Sequence, residues 1–164
     1  MKKFQSFDGT ITMINDFVTG SNEDIGCNKL MSVDNGYGNL INFVVKPNTY
    51  FIDYATVVVG DKVTGFYDAN APAPLIFPPQ FQAIVMAKYT PHQNVKVDYF
   101  NEQLESSDGK LKLNISPSTQ ILLTNGQFFT GNLVNRNLIA IYSFTTMSIP
   151  AQTTPYKIIV LCQK

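Results

Sequence analysis

Gly38-Asn39-Leu40-Ile41-Asn42-Phe43-Val44-Val45-Lys46-Pro47-Asn48-Thr49 decides the reading of this chain. Asp108-Gly109-Lys110-Leu111-Lys112-Leu113-Asn114-Ile115-Ser116-Pro117-Ser118-Thr119 repeats its pattern, with a proline and a threonine two apart in both copies. In each, a glycine turn leads into a short alternating apolar run, the signature of a strand with one buried face. Further landmarks recur in order. Phe66-Tyr67 matches Ile141-Tyr142, and Phe77-Pro78-Pro79-Gln80 matches Ile149-Pro150-Ala151-Gln152. Each copy then closes on an apolar strand, Ile84-Val85-Met86-Ala87 or Ile158-Ile159-Val160-Leu161. The landmarks predict two related β-units, 1–92 and 93–164, joined around Tyr89-Thr90-Pro91-His92.

Working outward, Thr10-Ile11-Thr12-Met13-Ile14 and Val95-Lys96-Val97-Asp98-Tyr99 also read as strands. So does the apolar run from Thr56 to Val59, which has the length of a buried strand rather than a helix. Turn signals at Asp34-Asn35-Gly36, Lys46-Pro47-Asn48, Gly60-Asp61, Ser116-Pro117 and Asn125-Gly126 fall roughly every ten residues, the spacing of a β-barrel or sandwich. The fold expected is all-β, two tandem OB-like small β-barrel repeats packed together, because closure of a small sheet removes its exposed edges. Asn101 to Ser107 is the one helical candidate, of one or two turns. Pro72, Pro74, Pro78 and Pro79 cannot donate to a ladder and belong to a loop or an edge.

Composition bounds the function classes. The 164 residues are 45% hydrophobic and 15% charged, with 12 basic and 12 acidic side chains. A chain of this length buries enough surface to fold, and a net charge of zero supplies no general field toward nucleic acid or an anionic membrane. Every acidic residue lies at or before Asp108, so residues 109–164 carry five positive charges and 1–108 a surplus of five negative ones. Complementary packing of halves or head-to-tail association explains that asymmetry more simply than phosphate binding. Met1 to Gly9 has a basic pair but no apolar run, so no signal peptide is read there. No stretch approaches the length of a membrane-spanning helix. Both a cytoplasmic and a surface-associated location fit. Cys27 and Cys162 form no CxxC pair and read as two buried thiols, with a disulfide as the alternative.

The segment Val59-Gly60-Asp61-Lys62-Val63-Thr64-Gly65-Phe66-Tyr67, followed by Leu75-Ile76-Phe77-Pro78-Pro79-Gln80 and Ala83-Ile84-Val85, resembles repeat modules of Gram-positive anaerobes. Many of those modules belong to exported proteins, alone or beside domains similar to the N-terminal domain of copper amine oxidases. The second unit departs from the pattern, with Asn135-Arg136-Asn137 at the Gly-Asp position and Ala151 for the second proline. The resemblance implies a bacterial surface or envelope-associated β-module and transfers no catalytic residue.

Candidate chemistry is sparse. His92 is the only histidine, it sits in the linker, and no Gly-x-Ser-x-Gly elbow accompanies it. Glu23-Asp24, Asp53, Asp61 and Asp68 stand near Asn or Gly, where carboxylates cap turns. Asp34-Asn35-Gly36 could open a calcium loop, but the twelfth position is Val45. No catalytic residue, metal or cofactor is expected. The distinctive feature is the proline-rich apolar stretch in which Pro72, Pro74, Leu75, Ile76, Phe77 and Phe81 form the expected binding surface, covered by the chain itself or by a partner. The expected function is a non-enzymatic structural or protein-binding module, with a protein partner or self-association. A carbohydrate- or peptide-binding barrel is the main rival, followed by an OB-type single-stranded nucleic-acid binder.

Arg136 is the sole arginine and the remaining basic residues are dispersed. Affinity for single-stranded oligonucleotides at about 0.15 M salt is therefore predicted to be weaker than micromolar. Fluorescence anisotropy measures it, and saturable submicromolar binding contradicts the charge argument.

Overall fold

Strand β1 (Phe4–Asp16) serves two neighbours. Its first half pairs antiparallel with β5 (Lys62–Asp68), from Phe4 opposite Asp68 to Thr10 opposite Lys62. Its second half pairs antiparallel with β2 (Lys29–Asp34), from Thr10 opposite Asp34 to Asp16 opposite Lys29, with a register shift between Ile11 and Met13. Gly9 stands at the changeover, where a Cβ would lie 2.4 Å from the Asp34 carbonyl oxygen. A glycine beside a bulge lets one strand bend across both partners. The computed structural model describes residues 1–18, 20 and 25–162, in two compact units, Met1–Tyr89 and Thr90–Lys164. The chain is all-β, with one short 3-10 turn at Ile52–Tyr54 among the described residues.

In the first unit β2 pairs with β3 (Leu40–Val45), and β3 runs parallel to β6 (Gln80–Gln82). The next segments of the same two stretches, β4 (Tyr50–Phe51) and β7 (Val85–Lys88), are again parallel, and β7 pairs antiparallel with β5. Pairing therefore passes from β1 through β2, β3–β4, β6–β7 and β5 back to β1. Alternate residues point inward: Met31 and Val33, then Ile41, Phe43 and Val45, join Ile11, Val63, Tyr67, Ala83 and Met86 in one apolar cluster.

The second unit repeats that neighbour order. β8 (Asn94–Phe100) pairs with β11 (Arg136–Tyr142), β11 with β13 (Lys157–Val160), and β13 runs parallel to β10 (Gln120–Leu123). β9 (Leu111–Leu113) runs parallel to β12 (Ala151–Thr153). Two isolated bridges, Phe100 with Ser106 and Glu105 with Lys112, stand where β2 stands in the first unit. Asn101–Ser107 is accordingly not helical. The Asn101 side-chain oxygen accepts from the N–H groups of Gln103 and Glu105, and such an Asx turn competes with helix.

Threonine hydroxyls hold the two kinks alike. Thr49 Oγ1 donates to the Ala83 carbonyl (2.9 Å) and accepts the Lys46 N–H; Thr119 Oγ1 donates to the Pro155 carbonyl (2.7 Å) and accepts the Ser116 N–H. The Ile84 N–H donates to Phe66, and the Tyr156 N–H donates to Ile141. By these bonds Ile84 corresponds to Tyr156 and Met86 to Ile158, two residues from the alignment expected by matching Ile84 to Ile158. The run from Thr56 to Val59 is not a strand. Val58 and Asp61 bond each other's backbone and carboxylate to form a turn, leaving Val58 and Val59 exposed while Val57 alone packs on the core.

Gly65 lies under the fully buried Phe43 ring, 2.5 Å from where its Cβ would be. The corresponding positions in the second core hold Ala140 and Leu113, a larger residue where the first has glycine and a smaller one where it has phenylalanine. Gly65→Ala is therefore predicted to destabilise by about 1–3 kcal/mol through overpacking. Adding Phe43→Leu recovers part of that loss, so a double-mutant cycle by urea denaturation reads a favourable coupling; additive losses contradict the packing assignment.

Candidate functional site

The loop of residues 69–79 leaves β5 and enters β6. Its base is fixed by Asp68, whose Oδ1 accepts the N–H groups of Lys3 and Asn70, both at 2.9 Å. The Ala69 N–H donates to the Lys3 carbonyl (2.8 Å), and at the exit the Pro79 carbonyl accepts the Asn42 N–H (2.9 Å). Between these anchors Pro72, Pro74, Pro78 and Pro79 restrict φ, and the Phe77–Pro78 bond is cis. Pro72 and Pro74 are exposed. Leu75 is 104% exposed, Ile76 52% and Phe77 89%. Phe81 differs from the other five expected residues. It lies on β6, packs against the first core and stacks on Tyr67 with ring centroids 4.1 Å apart. Burial raises the Tyr67 phenol above its ordinary pKa.

The loop of residues 143–150, between β11 and β12, carries the same kind of tip by other means. Thr146 Oγ1 accepts the Gln152 N–H (2.9 Å) and contacts Ser148 Oγ (2.6 Å), while Ser148 Oγ donates to the Pro150 carbonyl (2.8 Å). Thr153 Oγ1 donates to the Phe144 carbonyl, and the Ala151 N–H donates to the Lys110 carbonyl (3.1 Å). With Thr146 and Ser148 tied inward, Met147 between them is 104% exposed, and Ile149 is 98% exposed. The landmark Ile149-Pro150-Ala151-Gln152 marked this loop in the sequence, but its Thr and Ser content disguised an apolar tip. No charged side chain occurs from 69 to 87 or from 137 to 156.

Several of the remaining candidates hold their own turns. His92 lies in the linker at φ 61° and is exposed. Asp34 and Asn35 cap their own turn, accepting from Gly36, Tyr37 and Asn39. Glu23 and Asp24 lie outside the described residues. Arg136 donates to the Asn132 carbonyl and lies 4.9 Å over the Phe129 ring. Cys27 and Cys162 are exposed thiols rather than buried ones, because they sit in a turn and just beyond β13.

A polar cluster that the sequence did not reveal ties the turn before β9. Buried Asp98 accepts the Ser107 hydroxyl (2.6 Å), and Asp108 accepts the Ser106 hydroxyl (2.6 Å), the Lys110 N–H and the Lys96 ammonium. Burial alone would raise the Asp108 carboxyl, but Lys96, Ser106 and Lys110 outweigh it and hold its pKa below the ordinary value. Burial, followed by the Asp108 charge, raises Tyr142. The two serine hydroxyls, the two carboxylates and the Lys96 ammonium thus bond one another and the backbone of the turn that they fasten.

Comparison of the chain with family models, with curated proteins and with solved structures finds no match.

Because the folded-state pKa of Asp108 is depressed, its stabilising contribution is present above the unfolded value near 3.8 and is lost as pH falls through the folded value. Asp108→Asn is predicted to be less stable than the native chain at neutral pH, with the gap closing below pH 3.8. Urea denaturation across that range tests it, and a gap independent of pH removes the electrostatic explanation.

Proposed function

We propose that the chain is a non-enzymatic binding module of two tandem OB-like barrels, associated with a bacterial envelope or surface, that docks through the apolar tips of loops 69–79 and 143–150. The barrel reading draws on the pairing order. Counting β3–β4 and β6–β7 as one bent strand each, the first strand pairs with the second and fourth, and the third runs parallel to the fifth. The second unit follows that order, its second strand reduced to the Glu105 and Ser106 bridges. In OB folds the loop between the fourth and fifth strands is one of those that hold ligand, and both apolar tips occupy it.

The observation that carries the docking reading is its duplication: Leu75 and Phe77 in one unit, and Met147 and Ile149 in the other, stand almost wholly in water. One exposed apolar residue needs no explanation. Two clusters in matching loops, each anchored at its base, point to use. The local engagement of Arg136 and the absence of charge on either loop weigh against the single-stranded nucleic-acid alternative.

Photoreactive benzoylphenylalanine at positions 77 and 149, irradiated in the producing cell, is predicted to form adducts that the same group at exposed position 128 does not. Equal yields at all three positions contradict the docking assignment. Stability separates loop from core: Leu75→Ser with Phe77→Ser leaves the melting temperature nearly unchanged, whereas Phe81→Ser costs about 1.5–3 kcal/mol.

A further inference from the structure

We infer that the occupant of these loops is the interfacial layer of a lipid bilayer, an inference that rests on the docking reading above and specifies its partner. Shape is the first ground. Leu75, Phe77, Met147 and Ile149 are nearly as exposed as side chains can be, so each loop ends in separate apolar projections rather than a flat patch or a groove. A protein partner must supply a matching cavity for each projection. The acyl boundary of a bilayer accepts such projections without one.

Charge is the second ground. The uncharged spans 69–87 and 137–156 bring no ionised group that would have to be dehydrated on insertion. Lysines stand at the feet of the loops instead of their tips. The Lys3 carbonyl accepts the Ala69 N–H and the Lys110 carbonyl accepts the Ala151 N–H, and both residues are exposed. Projections in the acyl boundary leave such ammonium groups at headgroup height, where they attract anionic lipid. Of the carboxylates bonded at these feet, Asp108 is ion-paired with Lys96, whereas Asp68 accepts only the N–H groups of Lys3 and Asn70 and keeps its charge, so the Lys110 foot is the more cationic of the two.

Order is the third ground. Prolines fix one tip and the Thr146 and Ser148 hydroxyl bonds fix the other, so little conformational freedom is lost on insertion. Each unit carries these features by itself.

The chain contains no tryptophan, so Phe77→Trp, Ile149→Trp and Phe128→Trp each provide a single reporter. With mixed phosphatidylcholine and phosphatidylglycerol vesicles, the reporters at 77 and 149 are expected to shift to shorter wavelength and to be quenched by brominated acyl chains, while the reporter at 128 is not. Leu75→Ser with Phe77→Ser lowers the partition coefficient in vesicle co-sedimentation by about tenfold or more. Lys3→Gln lowers it by about fivefold, and only on vesicles that contain phosphatidylglycerol. Unshifted, unquenched reporters at 77 and 149 overturn the lipid assignment. If the reporter at 77 instead shifts with protein concentration alone, a second copy is the occupant, and the docking reading survives while the lipid inference fails. If the position-77 photoprobe also gives no adduct above the position-128 control, both fail.

Discussion

A buried hydroxyl at the kink between two strand segments is the constraint on which each unit's architecture depends. Thr49 gives its proton to the Ala83 carbonyl while accepting the Lys46 N–H, and Thr119 does the same with Pro155 and Ser116. At that point β3 has finished its parallel pairing with β6, and the same stretch of chain, turned, begins pairing with β7 as β4. Without the threonine, the carbonyl at the kink would be a buried acceptor lacking a donor, which costs about 1–3 kcal/mol. With it, the chain changes neighbours without an unsatisfied group, and pairing returns to β1. The bend of β1 at Gly9 is the complementary requirement, since a strand that serves two partners must turn between them.

That arrangement explains why the loops end where they do. β3 and β6 start side by side, with Asn42 opposite Gln80, so the chain entering β6 must emerge at the end of the sheet where β3 begins. Pro79 still bonds Asn42 at this rim; beyond it no ladder remains for residues 69–77 to join. The prolines forbid extending the strand, and the core is already filled by Phe81 and Tyr67 from the flanking strands. Leu75, Ile76 and Phe77 have no place inside. Their exposure follows from topology as much as from composition.

Alternation made the strands legible wherever one face is buried: Leu40 to Val45 became β3 without change, because its inward residues Ile41, Phe43 and Val45 recur every second position. It misled where burial is not periodic. Thr56 to Val59 has a strand's composition, yet the Asp61 carboxylate captures the Val58 N–H and makes a turn. Phe81 reads in the sequence as one of the loop's apolar residues, yet a single residue past the prolines is enough to enter the sheet. The pairing of the closing strands slipped by two for a similar reason: runs of Ile and Val look alike in any register, and backbone bonds from Ile84 and Tyr156 decide it. The polar cluster at Asp98 and Asp108 joins residues that the sequence separates, and composition carries no sign of it.

The second loop supplies the stronger part of the functional argument because it reaches the same exposure without the same residues. Had both loops been rich in proline, their likeness could be inherited backbone with nothing at stake in the side chains. Residues 143–150 instead keep one proline and hold their shape with Thr146 and Ser148, whose hydroxyls bond Gln152 and Pro150. The means of rigidity differs between the loops, whereas both place a large apolar group before the cis proline, Phe77 or Ile149, and another two residues earlier, Leu75 or Met147. Folding alone gives no reason to keep such groups in water, since burial is what apolar surface contributes to stability. Under the docking proposal, a use outside the unit gives that reason. With proline restraint in one loop and hydroxyl bonds in the other, what the two share is a stiff support beneath an uncharged apolar tip.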